Sequence, residues 1–200
     1  MKLIIGLGNP GSLYQNTRHN LGRSVIEFLG RLYRLSFSKK SRLYASLASV
    51  ELAGVPVTLA YPETFMNLSG KAVLALVEHL ACQVEQDLLI LVDDVALPFG
   101  KMRLRAKGSD GGHQGLRSIH EALGRMDYAR LRLGIGAGPE GEGQDPLKIP
   151  LEEYVLQRFS TKGKKALPGF LEKAHQACRL WGIHPVENAM NIVNNSKSTG

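Results

Sequence analysis

Apolar residues along this chain recur in two rhythms that take turns. Lys2 to Leu7 and Leu88 to Val92 are short apolar runs, the mark of strands covered on both faces. Val25, Phe28, Leu29 and Leu32 follow i, i+3, i+4, i+7, with Arg23, Glu27 and Arg31 on other faces, which predicts an amphipathic helix starting near Gly22. Ala48 to Leu52 and Val55 to Tyr61 are strand-like and meet through Ala53-Gly54, a hairpin pattern. Val73, Leu76, Val77 and Leu80 predict a second helix, with Ser69 as its N-cap. Met102, Leu104 and Ala106 alternate with Arg103, Arg105 and Lys107, and Leu131, Leu133 and Ile135 with Arg130, Arg132 and Gly134. Such alternation predicts strands with one solvated face. Leu116, Ile119 and Leu123 mark a helix stopped by Gly124, and Leu167, Phe170, Leu171, Ala174, Cys178 and Trp181 trace the last long one. The interleaving of strands and helices places the chain in the α/β class with a mixed sheet. The Gly-rich acidic stretch 136–150 is expected to be a mobile surface loop. One domain is expected over 1–187, with 188–200 as a C-terminal tail.

Composition narrows the setting. Hydrophobic residues make up 44% and charged residues 22% of the 200 positions, which excludes disorder and coiled coil. The apolar runs are too short to span a bilayer, and Met1 to Gly6 lacks the apolar region of a signal peptide. Cys82 and Cys178 are too few for a disulfide scaffold. A reduced, cytoplasmic protein is expected. The net charge of +7 is spread unevenly. Residues 1–50 carry eight basic side chains and one acidic, residues 51–100 one and seven, and 101–132 eight and three. A basic field of this kind attracts polyanions, and it serves solubility equally well.

Among the motifs, Gly6-Leu7-Gly8-Asn9-Pro10-Gly11 formally fits a dinucleotide-binding fingerprint. Pro10 removes a backbone N–H from the loop, no helix starts at the glycines, and no acidic residue follows ~20 positions on. A turn displaying Asn9 is the better reading. Asn9, Asn67, Asp93 and the Gly-rich loop each follow a strand run, so they are candidates to meet beyond the carboxyl ends of the strands. His19, just before the first helix, can project into the same place. Metal spacing, a serine nucleophile elbow and a cysteine signature are all missing, which leaves a site built on a histidine base. Taken singly, each residue also has a plain structural explanation. Asp93-Asp94 can open a turn, Met66 can be core, and Arg105 and Arg132 can be solvated strand positions.

As a set these segments strongly resemble bacterial-type peptidyl-tRNA hydrolases. The blocks are Gly6 to Gly11 with Tyr14 and Thr17-Arg18-His19-Asn20, Pro62 to Gly70, Val92-Asp93-Asp94 with Leu97 to Gly100, Gly111 to Leu116, and Arg130 to Gly136. The resemblance implies a single-domain, three-layer αβα monomer with a twisted, mostly parallel central sheet. It implies cleavage of the ester between a peptide and the tRNA 3′ end, without cofactor or metal. In that family's pattern His19 is the general base, Asp93 orients and charge-balances it, and Asn9 positions substrate. Tyr14, Phe65, Met66, Asn67 and Gln114 would line the cleft for the acceptor end or the peptide, and Arg105 and Arg132 would hold the tRNA 5′ phosphate. The sequence departs from the pattern at Gln114, where Asn is usual, at Ala96, where an acid is usual, and at Phe99, where a proline is usual. A protein that keeps the fold and binds RNA without turnover is the competing reading.

Overall fold

Four strand runs lie side by side in parallel at the middle of the molecule, three of them apolar enough to be covered on both faces and the fourth, Ala129–Gly136, covering Arg130 as well. A computed structural model describes residues 1–137 and 148–195. Its elements are β1 (Lys2–Gly6), α1 (Leu21–Leu32), β2 (Ser38–Lys40), β3 (Ala45–Leu52), β4 (Val55–Pro62), α2 (Ser69–His79), α3 (Val84–Asp87), β5 (Leu88–Pro98), β6 (Met102–Arg105), α4 (Gln114–Leu123), β7 (Ala129–Gly136), α5 (Leu151–Leu156), α6 (Thr161–Ile183) and α7 (Val186–Asn195). The seven strands are ordered β2-β3-β4-β1-β5-β7-β6. Strands β4, β1, β5 and β7 are mutually parallel, while β2, β3 and β6 join antiparallel at the two sides.

Side chains alternate across the sheet into two cores. Ile4, Leu59, Leu89 and Leu91 pack with α1, α6 and α7, and Leu3, Ile5, Ile90 and Val92 with α2 and α4. The result is the three-layer αβα arrangement, and full burial of each such Leu or Ile contributes about 1.5–3 kcal/mol. The hairpin forms as predicted from Ala53-Gly54, both with positive φ. The glycine motif has a packing cause. A Cβ on Gly6 would lie 2.3 Å from the Gly22 carbonyl oxygen, and one on Gly22 would lie 2.3 Å from that of Leu91. Helix α1 thus starts against the ends of β1 and β5, where only glycines allow the approach.

Three expectations change. Ser69 is the first residue of α2, not its cap, and its hydroxyl is buried and faces the Met66 sulfur. The alternation in β7 is not a solvated face. This strand lies between β5 and β6, and Arg130 is buried, its guanidinium donating to the carbonyls of Ser109 (3.1 Å) and Met126 (2.7 Å) and stacking 4.3 Å over Tyr128. The expected tail from 188 instead continues as α7 to Asn195, because Ala189 and Val193 bury against the core and the Asn194 side chain bonds both backbone groups of Leu104. Most of the predicted 136–150 loop, residues 138–147, lies outside the described residues, as do 196–200. Among the described residues, no helix is long and apolar enough to cross a membrane.

Candidate active site

The carboxyl ends of β1, β4, β5 and β7 surround one cleft of about 630 Å³. Asn9, after β1, is fixed on three sides. Its backbone N–H donates to Asn20 Oδ1 (2.8 Å), its carbonyl accepts from Asn20 Nδ2 (2.9 Å), and its Oδ1 accepts from the backbone N–H of Met66 (2.8 Å). Oδ1 is spent on Met66, and among the described residues no hydrogen bond engages Nδ2, the amide donor that Asn9 brings to the cleft wall.

His19 sits in the single turn Arg18–Asn20 that leads into α1. That turn is braced from below by α5: the Arg18 guanidinium stacks 4.4 Å over Tyr154, and its backbone N–H donates to Gln157 O (3.0 Å). Asp93, midway along β5 and directly after its fully buried apolar half, is 5% exposed and meets His19 Nδ1 with both carboxylate oxygens, at 3.1 and 3.0 Å. The ring nitrogen on the carboxylate carries the proton, so Nε2 holds the lone pair, and no hydrogen bond engages Nε2 among the described residues.

A second histidine completes the group. His113 caps α4: its Nδ1 accepts from the backbone N–H groups of Gly115 (3.1 Å) and Leu116 (3.3 Å). A ring nitrogen that accepts carries no proton, so the proton is on Nε2, which donates to Asp93 Oδ1 at 3.0 Å. Asp93 therefore receives two N–H groups. Burial alone would raise its pKa, but His19 and His113 on either side hold it well below the usual carboxylate range. For His19 burial works toward a lower pKa, and attraction to Asp93 with the hydrogen bond outweighs it, so its pKa is raised. Ligand atoms of His19, Asp93 and His113 lie within 4.8 Å of one another, close enough for a cation. Both ring nitrogens facing Asp93 carry protons, so the trio is satisfied as a hydrogen-bonded group, and no metal is assigned.

The remaining predicted residues divide. Tyr14 and Phe65 form an edge-on pair (6.2 Å between ring centres) on the cleft wall, with Phe65 53% exposed. Met66, 3% exposed, lies beneath, while Asn67 and Gln114 stand exposed on the lining. Arg132 also reaches the cleft, where its Nε pairs with Asp94 Oδ2 at 2.9 Å. Arg105 is not brought there among the described residues. It lies opposite Arg130 on the outer strand β6, and Arg103 is the residue opposite Arg132. Sequence reasoning missed His113 as a site residue, and also missed Asp94 and the apolar wall Leu151, Val155 and Leu156 of α5. The position of His113 directly before an amphipathic helix was the available signal for a capping role.

Fold and site together define a hydrolytic α/β class: a buried carboxylate behind a histidine whose free nitrogen faces an open, amide-lined cleft. Comparison with known proteins makes the class specific. Residues 3–200 match the family model of peptidyl-tRNA hydrolase. A peptidyl-tRNA hydrolase of Roseiflexus sp. (strain RS-1) is 42% identical over 194 residues, covering 97% of this chain and 86% of the relative. One from Cytophaga hutchinsonii is 42% identical over 195 residues, covering 98% of each. The crystal structure of peptidyl-tRNA hydrolase from Acinetobacter baumannii superposes with a TM-score of 0.86 at 31% identity, covering 98% of this chain and 96% of that one. The chain belongs to the peptidyl-tRNA hydrolase family, and it is a hydrolase of peptidyl-tRNA.

Proposed function

We propose that His19 Nε2 is the general base that removes a proton from water as it attacks the ester carbonyl carbon joining the peptide to the tRNA 3′ ribose. The observation that carries this is the placement of both Asp93 oxygens on His19 Nδ1, which fixes the tautomer and leaves Nε2 open to the cleft. Asp93 stabilises the imidazolium that forms, and His113 holds Asp93 in turn. The Asn9 Nδ2 amide is preorganised by Met66 and Asn20 to donate to substrate, either the carbonyl oxygen as it gains charge or the neighbouring peptide amide that marks a blocked amino group. As the tetrahedral intermediate collapses, the C–O bond to the ribose breaks and the proton on Nε2 passes to the leaving 3′ oxygen. Peptide and free tRNA result, with atoms balanced and no cofactor needed.

The cleft lining supports the same substrate. Tyr14 and Phe65 offer ring faces and edges to a terminal base, and stacking of that kind contributes ~1–3 kcal/mol per base. Asn67 and Gln114 present amides to the acceptor end or the peptide backbone, and Gln114 does so from one methylene further out than Asn. Arg132, oriented by Asp94, takes the 5′ phosphate, with Arg105 acting from the outer strand. The enzyme works as a monomer in the cytoplasm and frees tRNA from abandoned peptides in ribosome rescue. Replacing His19 by Ala in folded protein should lower kcat on N-acetyl-aminoacyl-tRNA by about 10²–10⁴-fold. A wild-type rate in that variant removes His19 from the base's role.

A further inference from the structure

The chemistry above leaves the most basic part of the N-terminal quarter unused. Residues 28–50 contain Arg31, Arg34, Lys39, Lys40 and Arg42 and no acidic residue. All five are exposed. Register decides where they point. Lys40 lies opposite Ala45, and Ala45 opposite Pro62 at the carboxyl end of β4. Lys40 and the turn Ser41–Leu43 after it therefore occupy the same rim of the sheet as Asn9 and the turn Met66–Leu68. The rim is continuous: the 41–43 turn packs on α2, and Lys71 of α2 lies 4.0 Å over the ring of the 37% exposed Tyr44. Lys71 is itself only four residues beyond Asn67 on the cleft wall. Among the described residues, Lys40 and Arg42 have no ion-pair partner.

We propose that Lys40, Arg42, Tyr44 and Lys71 form a second RNA-contacting surface, which takes the sugar-phosphate backbone of the substrate tRNA on the side of the cleft away from Arg132. The inference rests on the assignment of the cleft to the tRNA 3′ end. Charge complementarity selects the occupant, because a run of exposed cations beside an exposed aromatic ring suits a nucleic-acid strand. Three strand spacings of ~4.8 Å separate β1 from β2, so the rim runs ~14 Å outward from the site. The Debye length is ~10 Å at 0.1 M salt, so these charges act on what touches the rim rather than as a distant field. Lysines on an edge strand also deter edge-to-edge pairing. That role accounts for Lys39 and Lys40, but not for Arg42 in the turn beyond the strand or for Lys71 over the Tyr44 ring.

The test compares wild type with the double variant Lys40→Glu, Arg42→Glu on two substrates, N-acetyl-aminoacyl-tRNA and the same ester on a short CCA oligonucleotide. The expected result is a KM for the full tRNA raised about tenfold and a log–log salt dependence shallower by about 2. Values of kcat and all constants for the short ester should hold. A full-tRNA KM within twofold of wild type overturns the proposal and leaves the edge as a guard against pairing. Equal losses on both substrates overturn it too, by placing the effect in the cleft or the fold. Cleavage of the short ester by wild type reports on the cleft assignment separately, so failure of the rim and failure of the cleft are distinguishable.

Discussion

His19 and Asp93 are each braced by protein behind the cleft, which is why the pair is chemically defined before substrate arrives. His19 receives its position from Arg18 and α5, and Asp93 receives a second N–H from His113. Asn9 and Asp93 were legible in the sequence because each follows an apolar run, His19 because it directly precedes the first helix, and all three belong to recognisable blocks. His113 was not legible as a site residue, since its contribution depends on where α4 starts and on the distance from that cap to Asp93. Arg105 was legible only as a basic position, and strand register places it beside Arg130 rather than Arg132. Asn9 carries a prediction at this scale. Asn9→Ala removes the Nδ2 donor and should lower kcat by about 10²-fold with a smaller change in KM, measured by steady-state hydrolysis. A rise in KM alone would make Asn9 a ground-state binder.

Helical periodicity was read correctly because α1, α2, α4 and α6 each lay one apolar stripe on the sheet. Strand alternation was harder to interpret. In β7 it reflects two faces that are largely buried, one of which contains an arginine held by two carbonyls and a tyrosine ring, and sequence cannot separate that from solvent. The α7 helix escaped notice because its burial consists of small contacts, Ala189 and Val193, rather than a long stripe. The joint of α1 with β1 and β5 was visible only as glycines with no stated purpose. Gly22→Ala would put a methyl 2.3 Å from the Leu91 carbonyl oxygen and force the strand or helix to move. Destabilisation of about 3 kcal/mol is expected in urea unfolding. Unchanged stability would show that the helix start can retreat freely.

Across the whole molecule, charge and catalysis are arranged along one rim of the sheet. Asp93 belongs to the acidic middle of the chain, while basic side chains stand to both sides, Arg132 at one and Lys40, Arg42 and Lys71 at the other. The net charge of +7 suits a polyanion without giving a location, and the topology places exposed basic side chains on both sides of the cleft. Neither follows from composition, because it is the strand order that sets β2 and β6 at opposite edges of the sheet, with the cleft between them.

A buried carboxylate raises the affinity of His19 for protons, and the pH dependence of kcat/KM reads the proposed base directly. Protonated His19 cannot accept a proton, so activity should rise with pH through a single ionisation above the ordinary histidine value of about 6.5. In Asp93→Asn the attraction is gone while burial persists. The ionisation should then move to lower pH and the high-pH plateau should fall by about 10²-fold or more. An ionisation that stays in place in Asp93→Asn, or a wild-type rate with no histidine-range ionisation at all, would contradict a base formed by His19 on Asp93.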